Sequence, residues 1–201
     1  MGEIRVLGAF ALRFALVFTL LVLPWPPLKH FLQAVFLAET QVLVNLAFPG
    51  KWVQAEAYQD PLHSSIDTKV TMGDPHDTRS EGQVPVKMTT LDERSLAWIP
   101  HAVWFGLCAA TPMNWARKVR MVLAGLLVVQ VFVGVTVYTA VLAGFVEGSS
   151  SHWQESLLEV SNHLLLDNLW LSFVVPLVLW CIWLGWQGDW QCILNVPQQK
   201  R

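Results

Sequence analysis

The feature that most limits how this chain can fold is an apolar run from Met121 to Val146 that contains no Asp, Glu, Lys or Arg. At about 26 residues it exceeds the ~20 that the hydrocarbon core of a bilayer demands, so it reads as a tilted membrane span. The run is entered through Thr111-Pro-Met-Asn-Trp-Ala-Arg-Lys-Val-Arg120, a turn with three cations and no acid. A shorter apolar segment, Leu96 to Ala110, leads into that turn, and the two segments together read as a transmembrane hairpin. Basic residues in short loops resist translocation, so Arg117, Lys118 and Arg120 place the turn in the cytoplasm and determine the remaining topology.

Composition points the same way. With 54% hydrophobic and 14% charged residues, the chain is more apolar than a water-soluble domain of its size. The lipid bilayer is therefore its first expected partner. A net charge of -2, with the cations not gathered into a stripe outside the one turn, leaves no footprint for nucleic acid. The cysteines Cys108, Cys181 and Cys192 fall in or beside apolar segments, so no disulfide framework is expected.

Taken in order, residues 1–24 read as an uncleaved signal-anchor helix whose apolar run, Val6 to Leu23, is interrupted by Arg13. Arg5 and Arg13 set its start in the cytoplasm, and Arg13 is near enough to the inner face to snorkel there. Residues 25–49 read as an amphipathic interfacial helix, with Leu28, Phe31, Leu32, Val35, Val42 and Leu46 on one side and Lys29, Gln33, Gln41 and Asn45 on the other.

Residues 50–90 turn polar and alternating, the period of half-buried strands. Ile66, Thr68, Val70 and Met72 alternate with polar residues, as do Val84, Val86 and Met88, and Lys51 to Tyr58 supplies a third candidate strand. This predicts a small external antiparallel β segment, too small to bury a core alone. Open edges invite strand addition, and Ile66, Val70, Val84 and Val86 are the expected partner-contact residues.

Residues 91–146 form the hairpin, opened by Thr90-Leu-Asp-Glu93 as a capping box. Residues 147–186 read as an external amphipathic helix followed by a last span, Leu169 to Trp186, and residues 187–201 as a cytoplasmic tail. The expected fold is a membrane α-helical protein with four transmembrane helices, an amphipathic surface helix and a small external antiparallel β segment. Both termini are expected in the cytoplasm of a multi-pass protein.

Chemistry-bearing residues are sparse. His152, Glu155, Glu159 and His163 share one helical stripe, a candidate metal site on imidazole and carboxylate ligands. The simpler reading is the polar side of a surface helix, because His152 and His163 lie about 16 Å apart along its axis. Arg94, His101 and Cys108 recur every seven residues, but seven residues span about 10.5 Å, so the three cannot hydrogen-bond to one another within the helix. With no Gly-rich phosphate loop or Ser-centred elbow, no catalytic residue and no cofactor is assigned, and a non-catalytic role is the better expectation.

The run Leu96-Ala-Trp-Ile-Pro-His-Ala-Val-Trp-Phe-Gly-Leu-Cys-Ala-Ala-Thr-Pro112, with Asn114-Trp-Ala-Arg-Lys-Val-Arg120 and Leu123-Ala-Gly-Leu-Leu-Val-Val-Gln130, resembles the small exosortase-associated integral membrane proteins of the exosortase H-associated type. The resemblance implies a bacterial inner-membrane accessory protein. Such a protein would work beside an exosortase in sorting exported proteins that carry a C-terminal tag, with the exosortase or its substrates as partner. Two alternatives belong to other classes: a membrane enzyme or metal-binding protein using the His/Glu stripe, and a generic membrane sensor or assembly subunit.

Overall fold

The computed structural model describes residues 2–23, 25–58, 68–73, 86–146 and 170–187. In chain order these form α1 (Gly2–Val22), α2 (Pro26–Ala47), β1 (Trp52–Ala57), β2 (Thr68–Gly73), β3 (Val86–Leu91), a π-helical turn (Arg94–Trp98), α3 (Ile99–Ala110), α4 (Trp115–Val146) and α5 (Leu171–Gln187).

The helical composition and the three-stranded antiparallel sheet follow the sequence pattern, but the expectation of four transmembrane helices is overturned. Among the described residues only α4 is long and apolar enough to cross a bilayer, over Trp115–Ala143 with a mean hydropathy of 2.3. The apolar stretches of α1 and α5, Leu7–Val22 and Leu171–Trp186, are shorter. Helix α3 has 12 residues, about 18 Å of rise against a hydrocarbon core of about 30 Å. The reason lies at its start. The expected capping box is absent because Thr90 belongs to β3, and Asp92 caps instead: its Oδ1 accepts the N–H groups of Arg94 (3.0 Å) and Ser95 (3.3 Å). The next residues form the π turn rather than regular α-helix, so the apolar segment from Leu96 is not one uniform rod.

The chain divides into two compact units. One holds α1, α3, α4 as far as Gln130, and α5 from Ser172; the other holds α2, the sheet, the π turn and α4 from Val131.

In the first unit, Phe10, Phe14 and Phe18 repeat every four residues along α1 and so share one stripe. Phe10 meets Trp180 with ring centroids 5.4 Å apart, and Phe18 meets Phe173 at 5.9 Å. Phe14 lies over Gly106, where an added Cβ would sit 3.1 Å from the ring. Helix α3 packs still more closely on α4, because the indole of Trp104 covers Gly125 and its Nε1–H donates to the carbonyl of Val122 at 3.3 Å. A polar chain ties α5 to the end of α3: Trp180 Nε1–H donates to Thr111 Oγ1 at 2.9 Å, and that hydroxyl donates to Leu107 O at 2.6 Å. The buried indole N–H of Trp180 and the hydroxyl of Thr111 thereby both find partners, which an apolar setting requires.

In the second unit, the strand order is β1-β2-β3, both pairs antiparallel. The expected alternation holds on the central strand, where Thr68, Val70 and Met72 are buried. It fails on β3, whose buried residue is Leu91, while Val86 and Met88 are exposed. Helix α2 packs through a narrow stripe rather than through its apolar side. Phe36, Thr40 and Val44, one turn apart, are its buried line, and Phe31, Val35, Val42 and Leu46 stand exposed. The tie from α2 to the sheet is a β-turn, Phe48-Pro49-Gly50-Lys51, in which Lys51 N–H donates to Phe48 O at 3.2 Å. Gly50 has φ of 90°, the left-handed value that a type II turn requires at its third position and that glycine adopts without strain.

Candidate functional site

The outer backbone groups of a sheet's edge strands are where another strand would pair, and the two edges of this sheet differ. The turn at Gly50 folds β1 back along α2, which brings Gln41 against the strand's outer side. Gln41 Oε1 accepts the N–H of Ala55 (2.8 Å), and its Nε2 donates both to Val53 O (3.0 Å) and to Asn45 Oδ1 (3.1 Å). A side-chain amide thus takes the place of a neighbouring strand, and the β1 edge is closed there.

The same contacts fix the direction of every other backbone group in the sheet. N–H and C=O groups alternate in direction along a strand, so Val53 and Ala55, engaged by Gln41, point away from β2. Carried through the register, in which Gln54 faces Thr71, Thr71 faces Met88 and Val70 faces Thr89, this alternation turns the backbone groups of Val86, Met88 and Thr90 outward from β3. Val86 is 54% and Met88 61% exposed, and both stand on one face of the strand. Glu56 and Lys69 pair across β1 and β2 at 3.3 Å, with Lys69 also over the ring of Tyr58. These surface contacts add little stability but pin the register.

Of the expected contact residues, Val70 is fully buried in the central strand, whereas Val86 is exposed on β3, whose outer side pairs with no other strand among the described residues. Ile66 and Val84 fall outside the described residues. Met88 belongs to the edge and was not among the expected contacts, although the alternation that singled out Val86 also contains it.

The chain matches no family model, no curated protein and no solved structure. What its site can do therefore rests on its own geometry.

The metal candidates His152, Glu155, Glu159 and His163 lie outside the described residues, and no group of three or more His, Cys, Asp or Glu able to hold a metal occurs among the described ones. The Arg94, His101 and Cys108 series is not brought together. His101 Nε2 hydrogen-bonds with Gln130 Oε1 at 3.1 Å, and Cys108 is buried on α3. Buried thiols in apolar surroundings are inert packing groups.

Arg117, Lys118 and Arg120 occupy the first turns of α4, after Asn114, whose Oδ1 accepts the N–H of Arg117 at 2.9 Å. Cations near the positive end of a helix cost about 0.3–1 kcal/mol each, and no acid stands in that first turn to offset them. Local helix stability therefore does not explain the three charges. Lys118 turns back instead, its Nζ donating to Ala109 O at the end of α3, 3.1 Å away.

Proposed function

We propose that this protein is a non-catalytic accessory subunit of a bacterial inner membrane, which works beside an exosortase in the sorting of exported, C-terminally tagged proteins. Helix α4 crosses the bilayer with its basic end at the cytoplasmic face. The observation that carries the membrane part is the outer surface of the first unit. Leu12, Leu16 and Leu20 on α1, Leu123 and Leu127 on α4, and Val178 and Ile182 on α5 are all exposed, each series at one-turn spacing. Apolar stripes of this extent are unfavourable in water, at roughly 25 cal/mol per Å², and belong against lipid or another protein. The identity of the partner rests on the resemblance of the run Leu96 to Gln130.

Its contact with that partner is the β3 edge, to which an extended segment of the exosortase adds as a strand. Co-purification of the tagged full-length chain from membranes that also contain the exosortase tests both parts. The wild-type chain is expected in the membrane fraction with the exosortase bound. Met88→Pro removes an N–H that faces away from β2, so the internal ladder survives while the outer one is blocked. It should lose the exosortase and stay folded. A chain recovered from the soluble fraction refutes the membrane reading, and a Met88→Pro variant that still binds refutes the edge as the contact.

A further inference from the structure

The outer side of β3 pairs with no strand among the described residues, and the directions of its backbone groups decide which strand can cover it. Val86, Met88 and Thr90 turn their N–H and C=O groups outward, and all three are exposed. A covering strand must offer its own groups at every second residue, and a second copy of β3 does so with the same spacing.

Antiparallel pairing of two identical strands is defined by the residue that meets its own copy. Centred on Lys87, the pairing sets one ammonium directly opposite the other, which is unfavourable. Centred on Thr89, it leaves Val86 opposite Asp92, beyond the end of the strand. Centred on Met88, it engages all the outward residues at once: Met88 meets Met88, Val86 meets Thr90, and Lys87, the one charged residue of β3, stands opposite Thr89. Registers centred further out engage fewer outward residues. The exposed methionines then cover one another, and Val86 lies beside the methyl group of Thr90.

The other edge sets the size of the assembly. Gln41 closes β1 at Val53 and Ala55, so a sheet made by joining two β3 edges ends in a capped β1 on both sides. Such a pair is isologous and closed, whereas strands open on both edges would continue into a fibre.

We propose that β3 pairs antiparallel with β3 of a second copy about a two-fold axis at Met88, giving a closed six-stranded sheet, three strands from each copy. The second copy occupies this edge until an exosortase segment takes its place. That exchange rests on the reading of β3 as the exosortase contact; the pairing of two copies does not.

The purified full-length chain in mild detergent, without exosortase, tests the pairing by sedimentation and by oxidative cross-linking. The wild type is expected to be a dimer, and Met88→Pro, which lacks an outward N–H, a monomer of half the protein mass. Residues that exchange backbone bonds across an antiparallel pair have Cα atoms about 5.5 Å apart, within the reach of a disulfide, whereas residues displaced by two along the strand lie beyond it. Met88→Cys chains should therefore link to one another, and Thr89→Cys chains should not. The wild type, with its own cysteines, controls for unrelated links. The cysteine variants leave the strand intact, so they decide the question even if Met88→Pro does not fold. A monomeric wild type, a folded Met88→Pro variant that stays dimeric, or Thr89→Cys chains that link as readily as Met88→Cys chains overturns the pairing. Exosortase added before oxidation should abolish most of the Met88→Cys link, and a link formed in full with the exosortase bound overturns the exchange. A monomeric wild type that binds the exosortase, and loses it in Met88→Pro, leaves the exosortase contact standing, so the two failures are distinguishable.

Discussion

Replacing Gly125 by alanine tests how α3 and α4 are held together. A Cβ at this position would overlap the six-membered ring of Trp104, far inside the 3.0 Å that real Cβ contacts essentially never breach. Trp104 is 1% exposed, so its indole has no free space to retreat into. The ring must move, and moving it also breaks the bond from Nε1–H to Val122 O. Overpacking of this kind costs about 1–3 kcal/mol and the lost hydrogen bond about 1 kcal/mol, against a helix-propensity gain of about 1 kcal/mol for alanine over glycine. Gly125→Ala should therefore destabilise by about 1–3 kcal/mol. Gly134→Ala is the control, because its new Cβ meets Glu39 and Leu43 at an ordinary 3.8 Å, so only the propensity gain of up to about 1 kcal/mol remains. Denaturant titration of the full chain in detergent, followed by far-ultraviolet circular dichroism, reads both. Trp104→Ala leaves a cavity that accepts the methyl group, so adding Gly125→Ala to it should carry no further penalty, a coupling of about 1–3 kcal/mol. A Gly125→Ala variant as stable as Gly134→Ala, or one whose penalty persists without the indole, would show that the two helices do not approach through this pair.

Gln41→Leu removes both backbone bonds that close β1 and should destabilise the second unit by about 2 kcal/mol, read as faster hydrogen exchange at Ala55. Gly50→Ala places a side chain at φ of 90° and should cost about 1–2 kcal/mol in the same measurement, whereas Pro49→Ala should cost less. Arg117→Gln with Arg120→Gln should raise stability by about 1 kcal/mol in zwitterionic micelles, because the helix dipole disfavours those charges, and should lose that gain in anionic bilayers, where each cation is attracted by about 1 kcal/mol. A gain of equal size in both media would refute an electrostatic role toward the membrane.

What could be read from the sequence were the periodic features. The uncharged run gave α4, and the alternation through Thr68, Val70 and Met72 gave the central strand, because a strand buried on one face must repeat every second residue. The shortness of α3 was hidden, because hydropathy does not register a change of helix type. Leu96 to Ala110 is apolar apart from His101, yet a π turn over Arg94–Trp98, entered through the Asp92 cap, precedes the regular helix. The role of Gln41 was hidden for another reason. Its partners Val53 and Ala55 lie 12 and 14 residues away through a turn, and at the level of sequence a glutamine on α2 is only a polar residue on a polar side. The close approach of α3 to α4 was hidden as well, because Gly125 is matched with the indole of Trp104 rather than with another small residue, and nothing local to Gly125 signals that partner.

The unequal treatment of the two sheet edges follows from this long-range tie. A small sheet with two free edges pairs without direction, and its strands aggregate or slip. Gln41 removes that choice by satisfying Val53 and Ala55, so a strand added to this sheet would meet β3, in a register set by Val86, Met88 and Thr90. The buried side chains of the central strand, including Val70, support that edge from behind. Specificity at such an edge comes from the side chains beside the backbone ladder. Val86 and Met88 supply an apolar face of two residues there, which favours an extended partner segment with apolar residues at alternate positions.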